Sequence, residues 1–242
     1  MEKRKVALVI GAGDATGGAI AKRFAREGLI TCVTRRNSEK LQLLLQEIES
    51  FGGVAYGFSS DARKEDQVVE LIEMIEREIG EIDVMVFNIG ANVPCSILEE
   101  TATRYFKVWE MACFSAFLVG REVAKRMVPR QNGTIIFTGA TASLRGSAYF
   151  ASFSGAKHAL RALAQSMARE LGAYNIHVAH VVIDGAIDTV FIQETFPHLY
   201  AKKEQDGILA PKDIADNYWH LYQQPRNAWT HELDLRPWNE TW

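Results

Sequence analysis

Between residues 11 and 18 the chain reads Gly11, Ala12, Gly13, Asp14, Ala15, Thr16, Gly17, Gly18, directly after an apolar run and directly before a segment with helical apolar spacing. Glycines in that position let backbone approach a pyrophosphate, and the amides opening the next helix favour an anion. A strict G-x-G-x-x-G fails at Thr16. Gly11, Gly13 and Gly17 can still form the cradle, with Asp14 and Thr16 inside the same turn. A ligand-free strand-to-helix turn would use the same residues. Arg35 and Arg36 end a second apolar run with no carboxylate beside them, and adjacent guanidinium groups suit bidentate binding of phosphate.

Such groups converge only if the scaffold gathers strand ends. Residues 6–10 read as a strand and 19–27 as a helix, and the alternation repeats. Strands are expected at 31–34, 54–58, 83–88, 133–138 and 177–183. Helices are expected at 38–50 with Ser38 as cap, at 64–79, at 101–127 and at 153–171, and a final strand at 228–235. Buried strands alternating with helices predict an α/β fold with a doubly wound parallel sheet of about seven strands. No linker or charge run divides the 242 residues, so one domain, 1–242, is expected. Ligands of such sheets bind at the carboxyl ends of the strands.

With the turn and the element order in view, the chain resembles the short-chain dehydrogenase/reductase family and its Rossmann fold. The family turn T-G-x-x-x-G-x-G is matched by Gly11 and Gly17, with Ala15 at the usual middle glycine. The resemblance continues through Asp61, the family's adenine contact, with Ala62 beside it. Asn88 and Gly90 stand in place of N-N-A-G, then comes Lys157, then Asp184 and Gly185 with Thr189 in place of P-G-x-x-x-T. It implies a nicotinamide cofactor. An acid at the end of the second strand would bind a ribose 2′-hydroxyl, whereas cations accept a 2′-phosphate. Arg35 and Arg36 therefore predict NADP(H) over NAD(H).

The resemblance also implies hydride exchange with a carbonyl or alcohol. In that chemistry a Tyr moves the proton, a Ser binds the substrate oxygen, a Lys holds the ribose and lowers the Tyr pKa, and a helix Asn orders a water relay. Here the Tyr position, four before Lys157, is Phe153. The Ser position is Ala140 and the Asn position Ala112, so the chain resembles atypical members with FxxxK in place of YxxxK. Tyr149, one turn before Phe153 if the helix starts early, is a candidate replacement acid. Thr138, Thr141, Ser143 and Ser154 add hydroxyls expected to cap or brace loops, and Cys113 could line the pocket. Two readings stay open: an NADP(H)-dependent oxidoreductase of altered mechanism, or a non-catalytic NADP(H)-binding sensor or inactive regulatory subunit.

Net charge is −3 with signs interspersed, which speaks against nucleic acid and anionic membranes as partners. Lys3, Arg4 and Lys5 precede only five apolar residues, too few for a signal peptide, and no segment approaches a membrane span, so a cytoplasmic protein is expected. Three cysteines without CxxC spacing and six scattered histidines predict no metal site. The resemblance implies a homodimer or homotetramer, paired through the long helices and the C-terminal segment carrying Trp238 and Trp242. Phe191, Phe196 and Tyr200, in the expected substrate lid at 191–207, point to an apolar carbonyl or related small molecule.

Overall fold

A computed structural model describes residues 4–90 and 92–241; Lys3 and Trp242 lie outside them. Seven strands form one sheet: β1 (Lys5–Ile10), β2 (Ile30–Arg35), β3 (Ala55–Ser59), β4 (Glu81–Phe87), β5 (Gly133–Thr138), β6 (Ile176–Ile183) and β7 (Glu232–Leu235). Their order is β3-β2-β1-β4-β5-β6-β7, and every pairing is parallel. This is the single-domain Rossmann architecture expected from the alternating elements.

The first strand shows why the pattern reads as continuous apolar residues. Val6, Leu8 and Ile10 face one core, packed under α3 (Glu65–Met74), α5 (Ser115–Met127) and α6 (Ala151–Leu171). Ala7 and Val9 face a second core under α1 (Thr16–Arg26), α2 (Gln42–Ser50) and α9 (Pro211–Gln223). A strand covered on both faces has no polar side to show. On the second face Phe24 of α1 meets Trp219 and Tyr222 of α9 edge-on, at 5.5 and 5.6 Å between ring centroids.

Local features refine the expectation. Asn37, not Ser38, is the cap: its side chain accepts from the Glu39 amide at 2.9 Å and opens a 3₁₀ turn, Ser38–Leu41, ahead of α2. An Asx side chain two residues before an amide closes that ring more readily than a serine inside the turn. The helical region expected at 101–127 is continuous from Ala102 to Met127, with α4 (Ala102–Trp109) running into α5 through a π-type turn at Glu110–Phe114. The last strand begins only at Glu232. The segment expected to form a substrate lid contains α7 (Val190–Thr195), α8 (Pro197–Tyr200) and a 3₁₀ turn, Ala201–Gln205. No helix among the described residues is long and apolar enough to cross a membrane.

Candidate active site

The sheet changes winding direction between β1 and β4, and the chain leaves both strands into one cleft of about 610 Å³. Asn88 stitches the two exits together. Its amide donates to the Ile10 carbonyl at 2.8 Å and its side-chain Nδ2 to the Gly11 carbonyl at 3.2 Å. Gly11 has φ +85°, and a Cβ there would stand 2.9 Å from the Asn88 carbonyl oxygen, so only glycine fits. A Cβ on Gly17 would press on the Gly11 carbonyl oxygen, whereas Gly13 faces open cleft with nothing within 4 Å. The α1 start carries no side-chain cap, which leaves its first amides for a ligand. Gly11, Gly13, Asp14, Ala15, Thr16 and Gly17 all line the cleft.

A second compartment of about 270 Å³ shares Gly11, Gly13, Asn88 and Gly90 with the first and continues past Arg35, Arg36, Asp61 and Ala62. Arg35 is not idle: its Nη1 lies 3.1 Å from Asp14 Oδ1. Arg36 is exposed, and its carbonyl is held by Ser59 Oγ at 2.8 Å. Asp61 takes three bonds from Arg63, the backbone amide at 3.1 Å, Nε at 2.8 Å and Nη2 at 2.5 Å, and that hydrogen-bonded guanidinium lowers its pKa. Two arginines, Arg35 and Arg36, thus line the open volume of this compartment.

At the other end Lys157 is 2% exposed and reaches from α6 across two strand ends. Its Nζ donates to the Thr138 carbonyl at 2.8 Å and to the Ile89 carbonyl at 3.2 Å. Burial pushes its pKa down to about 8, partly offset by the nearby Cys113 thiol. The Phe153 ring centroid lies 5.9 Å from Nζ. Phe153 in turn packs with Ala112, Val108, Ala142 and Ala156, and Ala140 packs against the same group. The three positions lacking the polar groups of the resembled tetrad thus meet in one apolar cluster.

Tyr149 does not occupy the position expected of it. The helix begins at Ala151, and Tyr149 precedes it in a left-handed conformation, φ +68°, with 64% of its surface exposed. Its carbonyl is fixed by the Cys95 amide at 2.7 Å, and the cleft is lined instead by its neighbours Ser147 and Phe150. Three of the four hydroxyls are committed elsewhere. Thr138 Oγ1 pairs with the buried Tyr218 hydroxyl at 2.7 Å, Thr141 donates to Asp184 at 2.5 Å, and Ser143 Oγ accepts from the Ala140 amide at 3.2 Å. Ser154 lines the cleft, and its buried Oγ has no partner. Cys113 is buried, and burial raises its pKa, so it is no ready thiolate.

Sequence reasoning missed the groups that support this end. His180, fully buried on β6, is bonded to Glu232 at 3.1 Å, and Glu232 receives both arms of Arg161. A Cβ on Gly139 would collide with the His180 ring, so the β5 exit that carries Ala140 rests directly on that imidazole. Burial pushes the His180 pKa down to about 4, against the pull of Glu232. Thr189 caps α7, accepting from the Ile192 amide at 3.1 Å, and lines the cleft with Gly185. Pro237 packs on Gly185, Trp238 Nε1 donates to the Gln205 carbonyl at 3.0 Å, and Arg145 reaches the Thr241 carbonyl at 3.4 Å. The C-terminal segment therefore spans from the cleft floor to the lid. Trp229, by contrast, stacks on His177 at 5.0 Å between centroids and belongs to the chain's own packing. No cluster of metal-ligating side chains occurs among the described residues.

Comparison with known proteins agrees with this architecture. A family model described as short chain dehydrogenase matches residues 5–199. The 2-dehydro-3-deoxy-D-gluconate 5-dehydrogenase of Formosa agariphila is 33% identical, covering 73% of this chain and 67% of that protein. A crystal structure of a short-chain dehydrogenase from Rhodopseudomonas palustris is 46% identical, with a TM-score of 0.83, and covers 97% of this chain and 99% of that one. A metagenomic short-chain oxidoreductase solved in complex with NADP is 25% identical, with a TM-score of 0.83, and covers 96% of this chain and 97% of that one.

Proposed function

The chain belongs to the short-chain dehydrogenase family, and from that premise we propose that it is an NADP(H)-dependent oxidoreductase whose site works without a phenolic acid. The observation that carries this reading is a cleft running from the open face of Gly13 to Lys157 and Thr189, with an arginine-lined compartment beside it. Gly11, Gly13, Gly17 and the first amides of α1 would hold the pyrophosphate. Arg35 and Arg36 would take the 2′-phosphate, Asp61 and Ala62 the adenine end, Asn88, Gly90 and Lys157 the central part, and Gly185 and Thr189 the nicotinamide. When bound, that ring supplies or accepts hydride.

The chain's own residues then define what the chemistry must be. Lys157 keeps an ammonium near neutral pH and orients the ribose through the proton not given to Thr138 and Ile89. Phe153, Ala140 and Ala112 exclude water and offer no exchangeable proton. A small apolar carbonyl or related compound is the substrate class these walls suit. Titration with NADPH and NADH, followed by NADPH oxidation across carbonyl, enone and imine compounds, tests the reading. Equal affinity for the two dinucleotides, or no binding, sinks it.

The same apolar cluster favours a second reading, a non-catalytic NADP(H)-binding sensor or inactive regulatory subunit, in which binding survives and no compound is turned over. For assembly we read the aromatic ladder Phe106, Trp109, Phe114 and Phe117, with Phe106 57% exposed, as the face through which copies pair. Light scattering that returns a monomer removes this.

A further inference from the structure

Ser154 is a buried polar residue at the end of the cleft walled by Phe150 and Phe153. It sits on α6 immediately after Phe153, lines the cleft beside Phe150, Phe153 and Ser147, and is 6% exposed. Its hydroxyl oxygen makes no hydrogen bond. Thr138, Thr141 and Ser143, the other hydroxyls around the β5 exit, are each paired within the protein. A hydroxyl removed from water and left unpaired destabilises the folded chain. The residue lines a ligand-sized cleft while its oxygen is turned inward, so a χ1 rotation between staggered rotamers, which breaks no internal bond, brings the hydroxyl to a ligand acceptor.

We propose that Ser154 is the substrate-anchoring residue of this site, its hydroxyl donating to an acceptor oxygen of a molecule whose apolar body lies against Phe150 and Phe153. This rests on reading the cleft as an oxidoreductase site and adds to it the group that grips the substrate. Ala140 has no hydroxyl for that purpose, and Ser154 offers one from the neighbouring helix. The ligand class follows from the surroundings: a ketone or similar acceptor carrying an aromatic or branched apolar group. An offset aromatic contact suits the two phenyl rings, and the carbonyl oxygen is the acceptor that the Ser154 O–H lacks within the protein. Selectivity then comes from the acceptor, because a shape-matched molecule without it leaves Ser154 unpaired.

The test compares two probes of nearly equal shape, acetophenone and α-methylstyrene, in which oxygen is exchanged for methylene. Binding to the full chain saturated with NADP+ is measured by ligand-observed NMR titration. The ketone is expected to bind at least about tenfold tighter, as one buried hydrogen bond implies. Ser154→Ala should bring the ratio within about twofold, leave NADPH affinity unchanged in a fluorescence titration, and leave the melting temperature unchanged or higher, since no internal bond is lost. Equal binding of the two probes to the wild type, no detectable binding of either, or an undiminished ratio in Ser154→Ala overturns the proposal. A fall in melting temperature in the variant also overturns it, by making Ser154 a structural hydroxyl. Failure of NADPH to bind the wild type sinks the cofactor assignment instead; the probe ratio on the free protein then still decides the role of Ser154.

Discussion

The Nζ of Lys157 stands 5.9 Å from the ring centroid of Phe153, one helical turn away on α6, with its protons directed to the Thr138 and Ile89 carbonyls. The lysine is built into the strand ends rather than into a proton pair with its helix neighbour. A cation near a desolvated ring gains on the order of 1–2 kcal/mol, well short of the cost of burying an ammonium. The two backbone carbonyls therefore do most of the holding.

Stability should accordingly rise with pH through the window that Lys157 defines. Its folded pKa is about 8 against an ordinary 10.5, so between these values the unfolded chain binds the extra proton. The burial penalty, about 3 kcal/mol, is fully present below pH 8 and disappears by about pH 10.5. Urea midpoints at pH 7.5 and 10 should show this rise in the wild type and lose it in Lys157→Met.

His180 sets an acid limit. Its folded pKa near 4 lies below the ordinary 6.5 because burial disfavours the imidazolium. Stability is intact above pH 6.5 and declines as pH falls from there to about 4, by about 2–3 kcal/mol. His180→Asn, which keeps a donor for Glu232 without titrating, should flatten guanidinium midpoints measured from pH 7 to 4.5.

Arg35 and Arg36 should govern dinucleotide choice. Replacing both by alanine is expected to weaken NADPH by about 10–100-fold, the scale of one or two charge-assisted bonds, with NADH nearly unaffected. Asp14→Asn releases Arg35 from its 3.1 Å pair and should tighten NADPH by up to about fivefold, since an exposed pair is weak. Fluorescence titrations of the three proteins check both.

Gly13 and Gly17 should respond differently to the same methyl. At Gly17 a Cβ meets the Gly11 oxygen and comes within 2.9 Å of Ala12 Cα, and backbone cannot yield cheaply; Gly17→Ala should cost about 1–3 kcal/mol. At Gly13 there is open space, so Gly13→Ala should melt near the wild type yet bind NADPH at least about tenfold more weakly. Calorimetry and titration together separate the two.

Phe153→Tyr should return a phenol to the neighbourhood of Lys157. NADPH-dependent ketone reduction is expected to rise by a hundredfold or more, the usual contribution of a placed acid, and to acquire an acid–base limb in its pH–rate profile. A flat profile without gain would show that the missing phenol is not what restrains the wild type.

Much of the fold and of the cleft's frame is legible in the sequence. The glycine turn, Asn88 and Lys157 act through backbone geometry and fixed helical spacing, which local sequence carries. The place of Tyr149 is not legible there, because the start of α6 depends on a bend held by the Cys95 amide, a contact more than fifty residues away in sequence. The union of Ala112, Ala140 and Phe153 was equally hidden: three positions on separate elements share a cluster only after the sheet brings them together. The Asp14–Arg35 pair and the unpaired Ser154 hydroxyl are likewise properties of tertiary arrangement, not of residue type.

The C-terminal segment works as a tie-rod. Pro237 bears on Gly185 at the floor of the cleft, while Trp238 holds the Gln205 carbonyl of the lid. The floor of the cleft and the segment ending at Gln205 are thereby joined through two adjacent residues, so a change that frees Trp238 removes the tie-rod's outer anchor and leaves Pro237 on Gly185 as the inner one.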